Sequence, residues 1–147
     1  MTSGSEDETV GGVRGVRLVR LDRVDASNGS LTVAEHGRQV PFPVERIFTV
    51  FGVPEDEVRG THAHRACHQF LIAAAGRVTA VVDDGERTAE VVLDRPEVGL
   101  YLPPLTWGGQ RQYAPGTVLL VLASHPYDRA DYIEDHDEFL RVARARD

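Results

Sequence analysis

The chain has 147 residues, a length that suits one domain able to bury its own core. Its 23 acidic and 16 basic residues give a net charge of −7, which excludes nonspecific nucleic-acid binding because phosphates are repelled at long range. A single cysteine, Cys67, excludes an intramolecular disulfide and a thiolate-rich metal centre.

Residues 1–12 are polar and acidic and read as a disordered tail, leaving residues 13–147 as one domain. No apolar signal core opens the chain, and its longest apolar runs fall far short of the roughly 20 residues a membrane span needs, so a cytoplasmic protein is expected. Short β-type runs then follow between turn residues: 16–24, 30–34, 44–53, 69–75, 77–82, 89–93, 99–102 and 118–123. Reversals are expected at Asn28-Gly29, at Gly76 and at Asp83-Asp84-Gly85, where Gly supplies the positive φ of a tight turn. From Asp128 to Arg144, Tyr132, Ile133, His136, Phe139, Leu140 and Ala143 recur at helical spacing, with acids at the start and arginines at the end. An all-β sandwich or barrel closed by a C-terminal helix is the expectation.

Three of the six histidines fall within seven residues, at His62, His64 and His68. Imidazole titrates near neutrality and is a common metal ligand, so the stretch points to proton transfer or to a metal. On a strand, His62 and His64 project from one face into the same space. Cys67 beside them reads as a buried, inert thiol, with a nucleophile as the less favoured alternative.

The pattern Gly60-Thr-His62-Ala-His64, then His68 and Gly76, resembles the first signature of the cupin superfamily, small barrels of jelly-roll type. In metal-binding cupins a second signature adds a histidine. The corresponding stretch here, Gly99 to Gly109, has none.

Around this core, the segment Val58 to Leu71 resembles the TDP-4-keto-6-deoxyglucose 3,4-ketoisomerases, or WxcM-like sugar ketoisomerases. Asn28-Gly29-Ser30-Leu31, Pro41-Phe42, Arg46-Ile47-Phe48, Asp83-Asp84-Gly85, Val98 to Tyr101, Trp107, Val121 to Ser124, and Tyr127-Asp128 with Asp131-Tyr132-Ile133 extend the likeness over about residues 14–142. The resemblance implies a homodimeric cupin jelly roll, a TDP-linked 4-keto-6-deoxy sugar as substrate, and neither metal nor other cofactor. It assigns catalysis to His62 and His64, one as the base at carbon and the other as its proton-transfer partner. Arg59 and Arg46 become candidates for the pyrophosphate or an oxyanion, Gln69 for a sugar hydroxyl, and Tyr101 and Trp107 for the barrel mouth.

Two departures mark this chain. Phe48-Thr49 replaces paired tyrosines, leaving Thr49 as the hydroxyl on offer. Gly108-Gly109 follows Trp107 where relatives usually carry a polar or basic side chain. Beside ketoisomerisation, three readings stay open: a TDP-4-keto sugar epimerase, a metal-dependent enzyme using His62, His64 and His68, and a non-catalytic nucleotide-sugar-binding cupin.

Overall fold

The computed structural model describes residues 7–146. Its strands are β1 (Asp7–Thr9), β2 (Arg17–Arg20), β3 (Asp22–Ala26), β4 (Gly29–Val33), β5 (Arg46–Phe51), β6 (Arg59–His64) and β7 (Gln69–Ala75). They continue as β8 (Val78–Asp83), β9 (Thr88–Leu93), β10 (Val98–Leu102), β11 (Trp107–Arg111), β12 (Val118–Ala123) and β13 (Tyr132–Ile133), and helix α1 (His136–Ala145) ends the series. The expected all-β jelly roll with a C-terminal helix is therefore present.

Two antiparallel sheets face one another, ordered β1-β2-β10-β7-β12-β5 and β13-β6-β11-β8-β9, while β3 and β4 form a separate ribbon. Strand alternation explains which side chains meet between them. Leu71, Ala73, Leu100, Leu102, Leu119 and Val121 of the first sheet pack against Val78, Ala80, Val82 and Leu93 of the second. The alternate residues of the first sheet, Phe70, Ile72 and Leu122, point to its outer face and join Val19, Leu21, Val40 and Phe42. Phe70–Ala73 of β7 are buried on both faces, which is why this stretch reads as an unbroken apolar run.

The chain enters this fold earlier than its composition indicates. Part of the expected tail, residues 1–6, lies outside the described residues, but Asp7–Thr9 pair with β2, and Val10, Val13 and Val16 are buried in the central core. Acidic side chains on an edge strand leave its ladder hydrogen bonds intact. Three valines at three-residue intervals, with Gly11 and Gly12 at positive φ between them, then fold the segment inward.

The C-terminal helix is shorter than its periodicity indicates. Asp128 caps a 3-10 turn over Arg129–Asp131, β13 follows, and α1 starts only after Asp135, whose carboxylate accepts from the Glu138 N–H. Two local caps thus split one periodic stretch into turn, strand and helix. Phe139 and Ala143 of α1 bury against Ala63 and Ile133 on the outer face of the second sheet.

Gly99 gives this packing a sharp test, because a Cβ there would overlap the ring of fully buried Phe70. Gly99→Ala is expected to destabilise the fold by about 1–3 kcal/mol, as overpacking does. An unchanged urea midpoint would show that the ring has room to move.

Candidate active site

A cleft of about 300 Å³ opens between the sheets, lined by Arg59, Gly60, His62, Gln69, Gly108, Gln110 and Tyr132 with an apolar wall from Phe48, Val50, Leu71, Leu102 and Val121. Strand β6 supplies its polar side. Gly108 of β11 faces His62 while Gln110 faces Arg59, so three steps along β6 match two along β11. This bulge contains Gly60 at φ +72°, and it resets the alternation so that Arg59 and His62 both reach the cleft. A Cβ at Gly60 would also lie 2.5 Å from Gln110 Oε1 and displace that amide.

His62 borders the cleft, and His64 lies behind it, with their Nε2 atoms 3.1 Å apart. His64 Nδ1 is 2.8 Å from Asp131 Oδ2. An ionised carboxylate can only accept, so His64 carries its proton on Nδ1 and offers the Nε2 lone pair to the Nε2–H of His62. The Ala66 N–H donates to Asp131 Oδ1 at 2.7 Å, holding the carboxylate in place. Tyr132 packs its ring 4.7 Å from His62 and 4.4 Å from His64.

Burial sets the charges. It pushes His62 down to about 4, with His64 and Arg46 adding to the effect. His64 is also lowered, by burial that outweighs the pull of Asp131. Asp131 stays below the usual carboxylate range: burial raises it, but hydrogen bonds from Ala66 and His64 prevail. Two neutral imidazoles therefore stand beside one carboxylate at neutral pH.

Among the sequence candidates, the structure brings His62, Gln69 and Arg59 to the cleft and His64 directly behind it. Arg46 sits further back, its Nη1 3.5 Å from the Tyr132 hydroxyl and its guanidinium over the Phe48 ring. Three others are placed away from the cleft. Thr49 alternates with Phe48 and Val50 on β5, so it faces outward while Phe48 takes the cleft position. Tyr101 alternates with Leu100 and Leu102 and sits on the outer face of the first sheet, bonded to His68 Nδ1 at 2.7 Å. Trp107 also faces outward, packed on His136 and Phe139 of α1.

His68 follows a bend and leaves the face that His62 and His64 share, stacking instead with Tyr101 and Phe42. The three-histidine metal site is not assembled. Sequence reasoning assigned no role to Asp131 and Tyr132 because a helix was expected over residues 128–144. An Asp-x-x-Asp pair, each able to cap a turn, was the available signal.

A family described as "FdtA: WxcM-like, C-terminal" matches residues 14–144. The chain is 38% identical over 113 residues, 77% of its length and 81% of the relative's, to a TDP-4-oxo-6-deoxy-alpha-D-glucose-3,4-oxoisomerase of Aneurinibacillus thermoaerophilus. Its fold is similar to that of a 3,4-ketoisomerase from Helicobacter canadensis, with TM-score 0.85, 35% identity and coverage of 88% and 98% of the two chains. It is also similar to a mutant of the 3,4-ketoisomerase QdtA from Thermoanaerobacterium thermosaccharolyticum in complex with TDP-4-keto-6-deoxyglucose, with TM-score 0.87, 34% identity and coverage of 90% and 96%.

The depressed His62 pKa has a consequence for stability. Between about 6.5 and about 4 the unfolded chain binds a proton at this residue that the folded chain refuses, so stability falls as pH drops through that window. His62→Asn is expected to flatten this part of the profile of urea midpoints. Equal losses in both proteins would place the proton uptake elsewhere.

Proposed function

Because the chain belongs to the FdtA family, WxcM-like C-terminal, we infer that it is a sugar-nucleotide 3,4-ketoisomerase, moving the keto group of TDP-4-keto-6-deoxyglucose from C4 to C3. The carbonyl at C4 acidifies the hydrogen on C3. Removing that proton leaves an enediolate, and returning a proton at C4, with the hydroxyl proton moved from O3 to O4, gives the 3-keto product. Carbon 3 is oxidised and carbon 4 reduced, so no external oxidant is consumed.

The observation that carries the mechanism is the line from the cleft through His62 and His64 to Asp131. His62, the imidazole at the cleft wall, is the base at carbon. A proton accepted on its free nitrogen lets the Nε2 proton pass to His64, and the imidazolium formed there rests against the Asp131 carboxylate. Burial holds both rings neutral beforehand and so keeps the base available at neutral pH. Arg59 at the cleft edge supplies a fixed positive charge for the pyrophosphate, and Gln69 and Gln110 offer amides to sugar oxygens. Arg46 acts at one remove by holding the Tyr132 hydroxyl. No metal or organic cofactor enters these steps.

In deuterium oxide, the enzyme is expected to convert TDP-4-keto-6-deoxyglucose to a 3-keto sugar with solvent label at carbon, read by NMR. His62→Asn should lose about 10²–10⁴-fold in turnover. Asp131→Asn should lose at least about tenfold, since an amide no longer selects the His64 tautomer or balances its charge. No label and no new keto sugar would overturn the assignment, and retention of the C4 carbonyl with an inverted neighbour would make the enzyme an epimerase.

We further propose a homodimer, acting in the cytoplasm. Ile47 and Phe51 on the outward face of edge strand β5 are 62% and 69% exposed, and Val24 and Leu31, cross-strand neighbours on the separate ribbon, are 54% and 55% exposed. Large apolar side chains in such number on edge elements suit a self-complementary contact. The double change Ile47→Asp with Phe51→Asp is expected to yield a monomer in sedimentation analysis. An unaltered sedimentation coefficient would place the contact on another face.

A further inference from the structure

We propose that His64, Cys67 and Asp131 form a binding site for a thiophilic divalent cation, Zn²⁺ foremost, and that its occupation silences the histidine pair. Binding stands independently of the proposed function; silencing rests on His64 being half of the proton-transferring pair.

The three residues come from separate parts of the fold. His64 ends β6, Cys67 lies in the bend that joins β6 to β7, and Asp131 closes the 3-10 turn before β13. One ligand atom from each, an imidazole nitrogen, the thiol sulfur and a carboxylate oxygen, lies within 4.8 Å of the others. Tetrahedral zinc, with bonds of about 2.3 Å to sulfur and about 2.0–2.2 Å to nitrogen and oxygen, holds such atoms roughly 3.3–3.6 Å apart. A shift of the sulfur by about an ångström, with the 2.8 Å imidazole–carboxylate pair opening slightly, completes three positions, and water can take the fourth.

Cys67 is buried, and its side chain is the one that would supply that movement. Its backbone lies outside the strands, and its sulfur makes two weak contacts, to the His68 carbonyl at 3.3 Å and from the Ser124 hydroxyl at 3.8 Å. The other two ligands already meet at 2.8 Å. Charge balances as well: one thiolate and one carboxylate neutralise a dication. The sulfur and nitrogen donors disfavour Mg²⁺ and Ca²⁺, which take oxygen ligands, and leave metals that bind sulfur strongly.

The proton count explains why binding would stop turnover. The thiol proton leaves to solvent as the Zn–S bond forms. For His64 Nδ1 to donate its lone pair to the metal, its proton must move to Nε2. That nitrogen faces His62 Nε2 at 3.1 Å, so either two N–H groups oppose one another or His62 shifts its proton to its other nitrogen, and then it has no free lone pair for the substrate and no acceptor behind it. The ion is thus an inhibitor competing with a proton for His64, not a cofactor.

Cobalt makes the site visible. Titrating the metal-free, full-length protein with Co²⁺ is expected to give a thiolate-to-metal absorption band that saturates at one equivalent, is displaced by Zn²⁺, and is lost in Cys67→Ser. In parallel, Zn²⁺ should inhibit isomerisation, and Cys67→Ser, active without metal, should need at least about tenfold more Zn²⁺ for the same inhibition. X-ray absorption of the zinc-loaded native protein needs no variant and should show one sulfur at about 2.3 Å. A nitrogen- and oxygen-only shell, or equal inhibition of native protein and Cys67→Ser, overturns the site. Sulfur ligation with full activity overturns the silencing and, with it, the catalytic reading of His64.

Discussion

The pairing of a two-residue strand with the end of the histidine strand fixes the geometry of the histidine pair. Tyr132 and Ile133 lie against His64 and Ala63, and the residue just before them, Asp131, is thereby delivered to His64. The same carboxylate accepts from Ala66, and its carbonyl accepts from the Arg65 N–H at 2.8 Å. One residue thus anchors the bend after β6, selects the tautomer of His64 and supplies the countercharge for an imidazolium. Loss of its charge reaches the reaction through geometry and electrostatics together.

Around that anchor the site depends on a break in strand regularity. A regular β6 would place Arg59 on the face opposite His62, under the helix side of the sheet. The bulge at Gly60 turns it into the cleft, and Gln110 fills the space that a side chain at residue 60 would take. Gly108, directly across from His62, leaves that part of the wall bare: a Cβ there would meet nothing nearer than 3.6 Å. The cleft therefore owes its width beside the base to an absent side chain, and its polar contacts to one amide lying over a glycine.

Alternation made much of this legible in the sequence. The buried centre of β7, the turns at Gly76 and Gly85, and the shared face of His62 and His64 follow from local chemistry and a period of two. What escaped was set by contacts distant in sequence. Tyr132 and Ile133 fit a helical period as well as a strand, and only the caps at Asp128 and Asp135 with the register against β6 decide between them. Thr49, Tyr101 and Trp107 carry suitable functional groups on suitable strands, but face the wrong way because the phase of each strand is fixed by its neighbours. The acidic start of the chain misleads for a related reason: composition reports average polarity, whereas Val10, Val13 and Val16 seed the core singly.

Burial of the histidines is costly for stability under acid conditions and useful for the reaction for the same physical reason. Removing water from His62 and His64 disfavours the imidazolium, which keeps a base in its neutral form but would also make it a reluctant proton acceptor. Asp131 resolves this opposition unequally for the two rings. It contacts His64 directly and reaches His62 only through space, so the positive charge is better accommodated on the inner ring than on the outer one. In the proposed mechanism a proton taken from carbon at the cleft therefore has an electrostatic reason to be balanced by a shift inward, which leaves His62 neutral between the two halves of the reaction. A single histidine in the same pocket would have to be either too weak a base to accept the proton or too strong to give it back.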